Sequence, residues 1–231
     1  MLERFYTMES DSRRFLQVTG DDCPIIFHDY IILSEDSARA WYTRRRRLFQ
    51  KVKPSLGFNF ELKFDEEAAY QVDDLVRVLQ AIMNVVASYA DQRPVIFSSF
   101  HPHMVILVLN KITEHLDCSR FPKLFFLTDG RMEIFHDMRR NSLEEVIKVC
   151  TEGGLQGIIS EVTAIFQNPV PISKIKESNL SLLTNGNRNN YPESVHAQHQ
   201  MGINGVIVDL VREITEAVTR SIKPPKDADS D

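Results

Sequence analysis

Five short runs dominated by apolar residues constrain this chain most. They form the expected strands Pro94–Phe100, Lys123–Thr128, Gly157–Val162, Leu180–Thr184 and Gly205–Asp209. They have strand length, and they lack the apolar–polar alternation that would leave one face for water. Such strands belong to a parallel sheet covered on both sides. The segments between them carry a helical period. Leu75, Val78, Leu79, Ile82, Met83, Val86 and Tyr89 mark a helix within 68–90, and 102–116, 171–178, 192–201 and 209–222 read as further helices. Another starts at Ser142, where Ser142-x-x-Glu145 has capping-box spacing, and stops at Gly153-Gly154. Strands alternating with helices imply right-handed βαβ crossovers.

One run differs. In Gly57 to Phe64, Phe58, Phe60, Leu62 and Phe64 alternate with Asn59, Glu61 and Lys63. Two residues apart on a strand, Glu61 and Lys63 share a face, and at the C-terminal end of a parallel strand that face is a barrel mouth. A carboxylate there can bind a hard cation through oxygen, and a lysine can meet an anionic oxygen. A plain ion pair across the mouth is the competing reading. Upstream, Phe15–Thr19 and Pro24–Asp29 flank the turn Gly20-Asp21-Asp22 and read as a hairpin.

With the hairpin counted as one position, the chain supplies seven barrel strands, where a closed (β/α)8 barrel has eight and about 250 residues. The expected fold is therefore α/β, a TIM-type (β/α)8 barrel incomplete at its first βα unit. It would span residues 15–222, with 1–14 and 223–231 as flexible termini. Open barrel edges invite self-association, unless residues 2–8 cover the gap.

Composition limits the partners. A net charge of −5 gives no pull toward nucleic acid. Cys23, Cys118 and Cys150 are too scattered for a metal motif and suit a reducing, intracellular compartment. No apolar run approaches the roughly 20 residues of a membrane span, so a soluble, cytoplasmic protein is expected. The Arg44–Arg47 run reads as a solvated helix face or loop.

The segments "VTGDDCPIIFHD", "GFNFELKFD", "RPVIFSSFHP", "FPKLFFLTDG", "GLQGIISEV", "ISKIKESNLSLLTNG" and "MGINGVIVD" follow one another at barrel-unit spacing. As an ordered set they resemble the glycerophosphodiester phosphodiesterase family, particularly its plant members. The resemblance implies a TIM barrel that hydrolyses small-molecule glycerophosphodiesters, such as glycerophosphocholine, to glycerol 3-phosphate and an alcohol. It also implies a divalent cation, Mg²⁺ or Ca²⁺. By the same resemblance His28 matches a proton-handling histidine, Glu61 a metal ligand, and Lys63 the lysine that steadies phosphoryl charge.

The departures are as informative. No His-Arg-Gly occurs in the 231 residues, and Arg13 and Phe15 stand where the family has its Glu-x-Asp. The chain reads as a member that begins after the first strand, with impaired hydrolysis. A non-catalytic barrel that binds phosphodiesters or a partner chain is the alternative. A related phospholipase C would need an apolar membrane-facing rim, which the sequence does not show. Glu161 and Asp209 end strands on the presumed active face as candidate substrate-binding residues, although strand-end acids also cap the next helix. His101 and His103 flank Pro102 at a helix start and read as loop histidines.

Overall fold

A computed structural model of the chain describes residues 13–18, 24–26, 56–62, 71–90, 93–107, 123–130, 134–135 and 137–222, the first two segments and a few helical positions by backbone alone. The expected positions of His28, Asp29, Arg44–Arg47, Lys63 and both terminal segments lie outside these residues, apart from Arg13 and Arg14.

The strands are β1 (Arg13–Val18), β2 (Pro24–Ile26), β3 (Phe58–Leu62), β4 (Val95–Ser99), β5 (Lys123–Thr128), β6 (Gly157–Glu161), β7 (Ser181–Asn185) and β8 (Gly205–Val206). They form one sheet in the order β2-β1-β3-β4-β5-β6-β7-β8. β1 and β2 pair antiparallel, which is the expected hairpin. β1 begins at Arg13, two residues ahead of the expected Phe15. Every other neighbouring pair is parallel. Among the described residues no pairing joins β2 to β8, so the TIM-type barrel is open, as its strand count implies.

Helices cover the outer side: α1 (Val72–Tyr89), α2 (102–107), α3 (Leu143–Glu152), α4 (Val162–Gln167), α5 (Pro171–Glu177), α6 (Pro192–Met201) and α7 (Val211–Ile222). On α1, Leu75, Leu79, Ile82 and Val86 recur at four- and three-residue steps and are buried, while Arg77, Gln80 and Asn84 are exposed. That stripe packs on Phe58, Phe60 and Leu62 of β3 in the main core. Phe58 and Phe60 stack with ring centroids 5.5 Å apart, and Phe60 leans on Phe97 at 5.9 Å. The alternation in β3 thus has a physical cause: one row faces helices and the other faces the barrel interior. The interior holds a second cluster of Ile96, Phe125, Leu127, Ile159, Leu183 and Ile207, to which none of the described helices contributes.

The start and stop of α3 fall where the sequence puts them. Ser142 accepts a hydrogen bond from the Glu145 amide (3.2 Å), and Gly154 turns left-handed at φ 68°. Ser142→Ala is expected to lower stability by about 1 kcal/mol. A shift in urea midpoint, with unchanged slope, checks this; no shift would mean that water replaces the cap.

Two expectations need correction. The segment 157–162 does not run on as strand at Val162, because Glu161 caps α4, which starts there. The last strand, expected over Gly205–Asp209, stops at Val206. Ile207 N still donates to Thr184 O (2.8 Å), but Asp209 N and Leu210 N donate to the Asn190 side chain (2.7 and 3.2 Å). An asparagine side chain takes the place of the neighbouring strand. No helix among the described residues is long and apolar enough to cross a membrane.

Candidate active site

Parallel strands deliver their C-terminal ends to one rim, and there the inward-facing row turns polar. Glu61 is half-buried at the end of β3. Its register neighbours are Phe15 on β1 and Ser98 on β4. Below it, Ser98 donates to Asn59 Oδ1 (3.0 Å). Ser99 ties two chain ends together: its hydroxyl donates to Leu62 O (2.8 Å) and accepts from His101 N (3.2 Å). His101 is thereby fixed beside the strand end that carries Glu61.

Glu161 ends β6 on the same sheet. Its carboxylate accepts from Thr163 N, from Ala164 N (3.1 Å) and from the Thr163 hydroxyl (3.1 Å), so it caps α4 as strand-end acids often do. Gly186, at φ 117°, lies against it: a Cβ there would stand 2.5 Å from Glu161 Oε1. Only glycine combines that backbone with that approach. Asp209 accepts from Asn190 Nδ2 (2.9 Å). The fold therefore puts Glu61, Glu161 and Asp209 along one rim and gives the latter two local hydrogen bonds. The remaining expected partners of Glu61, His28 and Lys63, lie outside the described residues.

A divalent cation needs several oxygen ligands at once. No group of three or more His, Cys, Asp or Glu side chains that could hold a metal occurs among the described residues. The register positions flanking Glu61 bring a phenylalanine and a serine, not carboxylates. Among the described residues, the strands flanking β3 therefore place no second carboxylate in register with Glu61.

The rim also carries groups that the sequence reading passed over. Beyond β5, the 3₁₀ turn Met138–Arg140 (η1) is capped by Asp137, whose carboxylate also grips the Arg139 guanidinium through Nε (2.8 and 3.1 Å) and Nη2. The hydrogen bond from Arg139 holds the Asp137 carboxyl below its ordinary range. Arg139 Nη2 also lies 3.0 Å from His103 Nε2. Because a guanidinium only donates, Arg139 is the donor in this contact. Arg140 is buried, with its guanidinium 3.6 Å over the Phe135 ring and 5.5 Å from that of Phe100. Burial, then the nearby His103 and Arg140, push the His101 ring below the usual histidine range. The only trace of this in the sequence is Arg139-Arg140 ahead of the Ser142 cap.

A sequence profile described as the glycerophosphoryl diester phosphodiesterase family matches residues 45–213. Glycerophosphodiester phosphodiesterase GDPD2 of Arabidopsis thaliana is 45% identical over 258 residues, covering 91% of this chain and 67% of the relative. The chloroplastic GDPD1 of the same plant is 43% identical over 263 residues, covering 93% and 71%. The 258-position alignment takes in 91% of this chain, about 210 of its 231 residues, so about 48 positions (258 less 210) of that relative have no counterpart here. A Silicibacter pomeroyi structure described as a glycerophosphoryl diester phosphodiesterase shares the fold at TM-score 0.66 and 14% identity, covering 90% of this chain and 83% of the other. An Oleispira antarctica phosphodiesterase, solved in complex with the product sn-glycerol-3-phosphate, shares it at TM-score 0.62 and 15% identity, covering 90% and 84%.

Proposed function

Because this chain belongs to the glycerophosphoryl diester phosphodiesterase family, we propose that its barrel mouth receives glycerophosphodiesters and that hydrolysis to glycerol 3-phosphate and an alcohol is the chemistry the fold carries, slowed in this chain by an incomplete ligand set. The observation that supports the reading is Glu61, half-buried at the end of β3 inside the matched segment. The Oleispira relative's bound product supports the same substrate class.

When present, Mg²⁺ or Ca²⁺ would stabilise charge at the phosphoryl oxygens. A cation held by one protein carboxylate keeps most of its waters and binds loosely. Arg13 and Phe15, in register with Asn59 and Glu61, stand where the family resemblance leads one to expect acids. His28 and Lys63 would take the proton-handling and charge-steadying roles that the resemblance assigns them, with Glu161 and Asp209 lining the strand-end rim. The second reading, a barrel that binds phosphodiesters without cleaving them, draws on the same register neighbours of Glu61.

The test is turnover of glycerophosphocholine by the full chain, with added Mg²⁺ or Ca²⁺, with chelator, and with Glu61→Ala. We expect turnover well below the ordinary ~10 s⁻¹, abolished by chelator and by Glu61→Ala. Binding without turnover would establish the non-catalytic reading. Ordinary rates with micromolar cation affinity, both lost in Glu61→Ala, would show that the ligand set is complete after all.

A further inference from the structure

We propose that Asn185, the last residue of β7, is the group at the barrel mouth that reads the free hydroxyls of the substrate's glycerol moiety. This deepens the proposed function and rests on it for the identity of the ligand.

Position comes first. Leu183 belongs to the interior cluster, whereas Thr184, fully buried, donates to Gln198 of α6 on the helix side. The period of two therefore turns Asn185 inward, above the hydrocarbon of the interior. It stands in register with Glu161 at the end of β6. β7 lies four places from β3 in the sheet order, which in a barrel of this type is across the mouth from Glu61.

Bonding comes next. Asn59, Asn189, Asn190 and Asn204 each bond a neighbouring strand, turn or side chain. Asn185 is half-buried, yet among the described residues its side-chain amide makes no hydrogen bond, and its Oδ1 is sealed from solvent. A buried acceptor without a donor is rare, because it has given up water without replacing it. The terminal torsion of an asparagine is soft, so Oδ1 can swing into the cup, and no hydrogen bond is broken in the turn. A site built this way accepts a ligand that bonds the amide and rejects one that leaves it unpaired.

The amide donates through Nδ2 and accepts through Oδ1, and a hydroxyl answers both. A phosphoryl group answers only the donor, and the Glu161 carboxylate on the neighbouring strand disfavours an anion here. In glycerophosphocholine the hydroxyls belong to the glycerol moiety, because the choline oxygen is esterified.

Glycerol 3-phosphate and n-propyl phosphate share chain length and charge and differ in the hydroxyls. Calorimetric titration of the full chain, with Mg²⁺ present, should show glycerol 3-phosphate binding about tenfold tighter, the worth of a hydrogen bond. Asn185→Leu should abolish that preference and leave propyl phosphate binding unchanged. It should also leave the urea midpoint unchanged or raised, because it removes an acceptor that has no donor. Asn185→Asp retains an acceptor and should retain the preference, since its repulsion of phosphate falls on both ligands alike. A lower midpoint in Asn185→Leu means a structural amide and overturns the assignment. So does a preference that survives Asn185→Leu, that is lost in Asn185→Asp, or that is missing from the wild-type chain. In each of those cases, binding of the two phosphates leaves the proposed function standing. If neither phosphate binds, the proposed function falls and the assignment falls with it.

Discussion

Replacing Phe126 with alanine is expected to lower the free energy of unfolding by about 3–5 kcal/mol. Phe126 lies on β5, with β4 and β6 on either side, and is 0% exposed. Its side chain belongs to the main core, where strand residues meet α1, α3 and α5. Truncation loses both the transfer energy of the ring and the contacts around the cavity left behind. Rigid sheet neighbours such as Phe97 and Ile158 limit how far that cavity can collapse. A domain of this kind has about 5–15 kcal/mol of stability in all, so the loss takes a large share. Urea unfolding followed by circular dichroism measures it. A loss below about 1 kcal/mol would show that the sheet relaxes around the gap. Phe126→Leu, closer in volume, should cost less than half as much.

Asn189→Ala should cost about 2–4 kcal/mol, and Asn189→Asp more. Asn189 is 0% exposed, yet it is an amide in the middle of the fold. Its Nδ2 donates to Thr184 O and Ile207 O (3.0 Å each), and its Oδ1 accepts from Gln198 Nε2 (2.9 Å). Gln198, also 0% exposed, accepts in turn from the Thr184 hydroxyl. Alanine would take this donor from Ile207 O, at about 1–3 kcal/mol for a group left dry, and would leave Thr184 O with Ile207 N alone and Gln198 Nε2 with Ser194, at about 0.5–1.5 kcal/mol for each bond lost. Aspartate is nearly isosteric but turns the donor into an acceptor facing two carbonyl oxygens, and it buries a charge. Thermal unfolding ranks the two variants. If Asp is tolerated as well as Ala, the amide does not act as a donor.

These two residues mark what the sequence could and could not disclose. Phe126 stands in a run whose length and lack of alternation already require a covered parallel strand, and β5 occupies the expected Lys123–Thr128. Helix α6 spans the expected 192–201, and the Ser142 cap is a three-residue pattern. Such features depend on neighbours in sequence. Asn189 and Asn190 act across 18 to 20 residues on the backbone around Ile207 to Leu210, and nothing local marks them as different from any turn asparagine. Helix α4 escaped for the opposite reason: Val162 and Thr163 continue the β-branched character of β6, and no proline or glycine announces the change. At the mouth, the period of two put Glu61 on the interior-facing row, where the structure has it. His101 and His103 read as loop histidines in the sequence because they flank Pro102; His103 in fact lies within α2, and its contact with Arg139, 36 residues on, is one a linear reading cannot bring near.

The two clusters that line the sheet have a consequence for traffic. Along the interior row β4, β6 and β7 each pass from hydrocarbon to polar within two residues: Ile96 to Ser98, Ile159 to Glu161, Leu183 to Asn185. The barrel is therefore a cup with a greasy floor, not a tube. A solute arriving from below meets a plug of branched and aromatic side chains and has no thermodynamic reason to stay. Segments under the floor can change without altering what the cup holds, whereas any alteration at the lip changes what it admits.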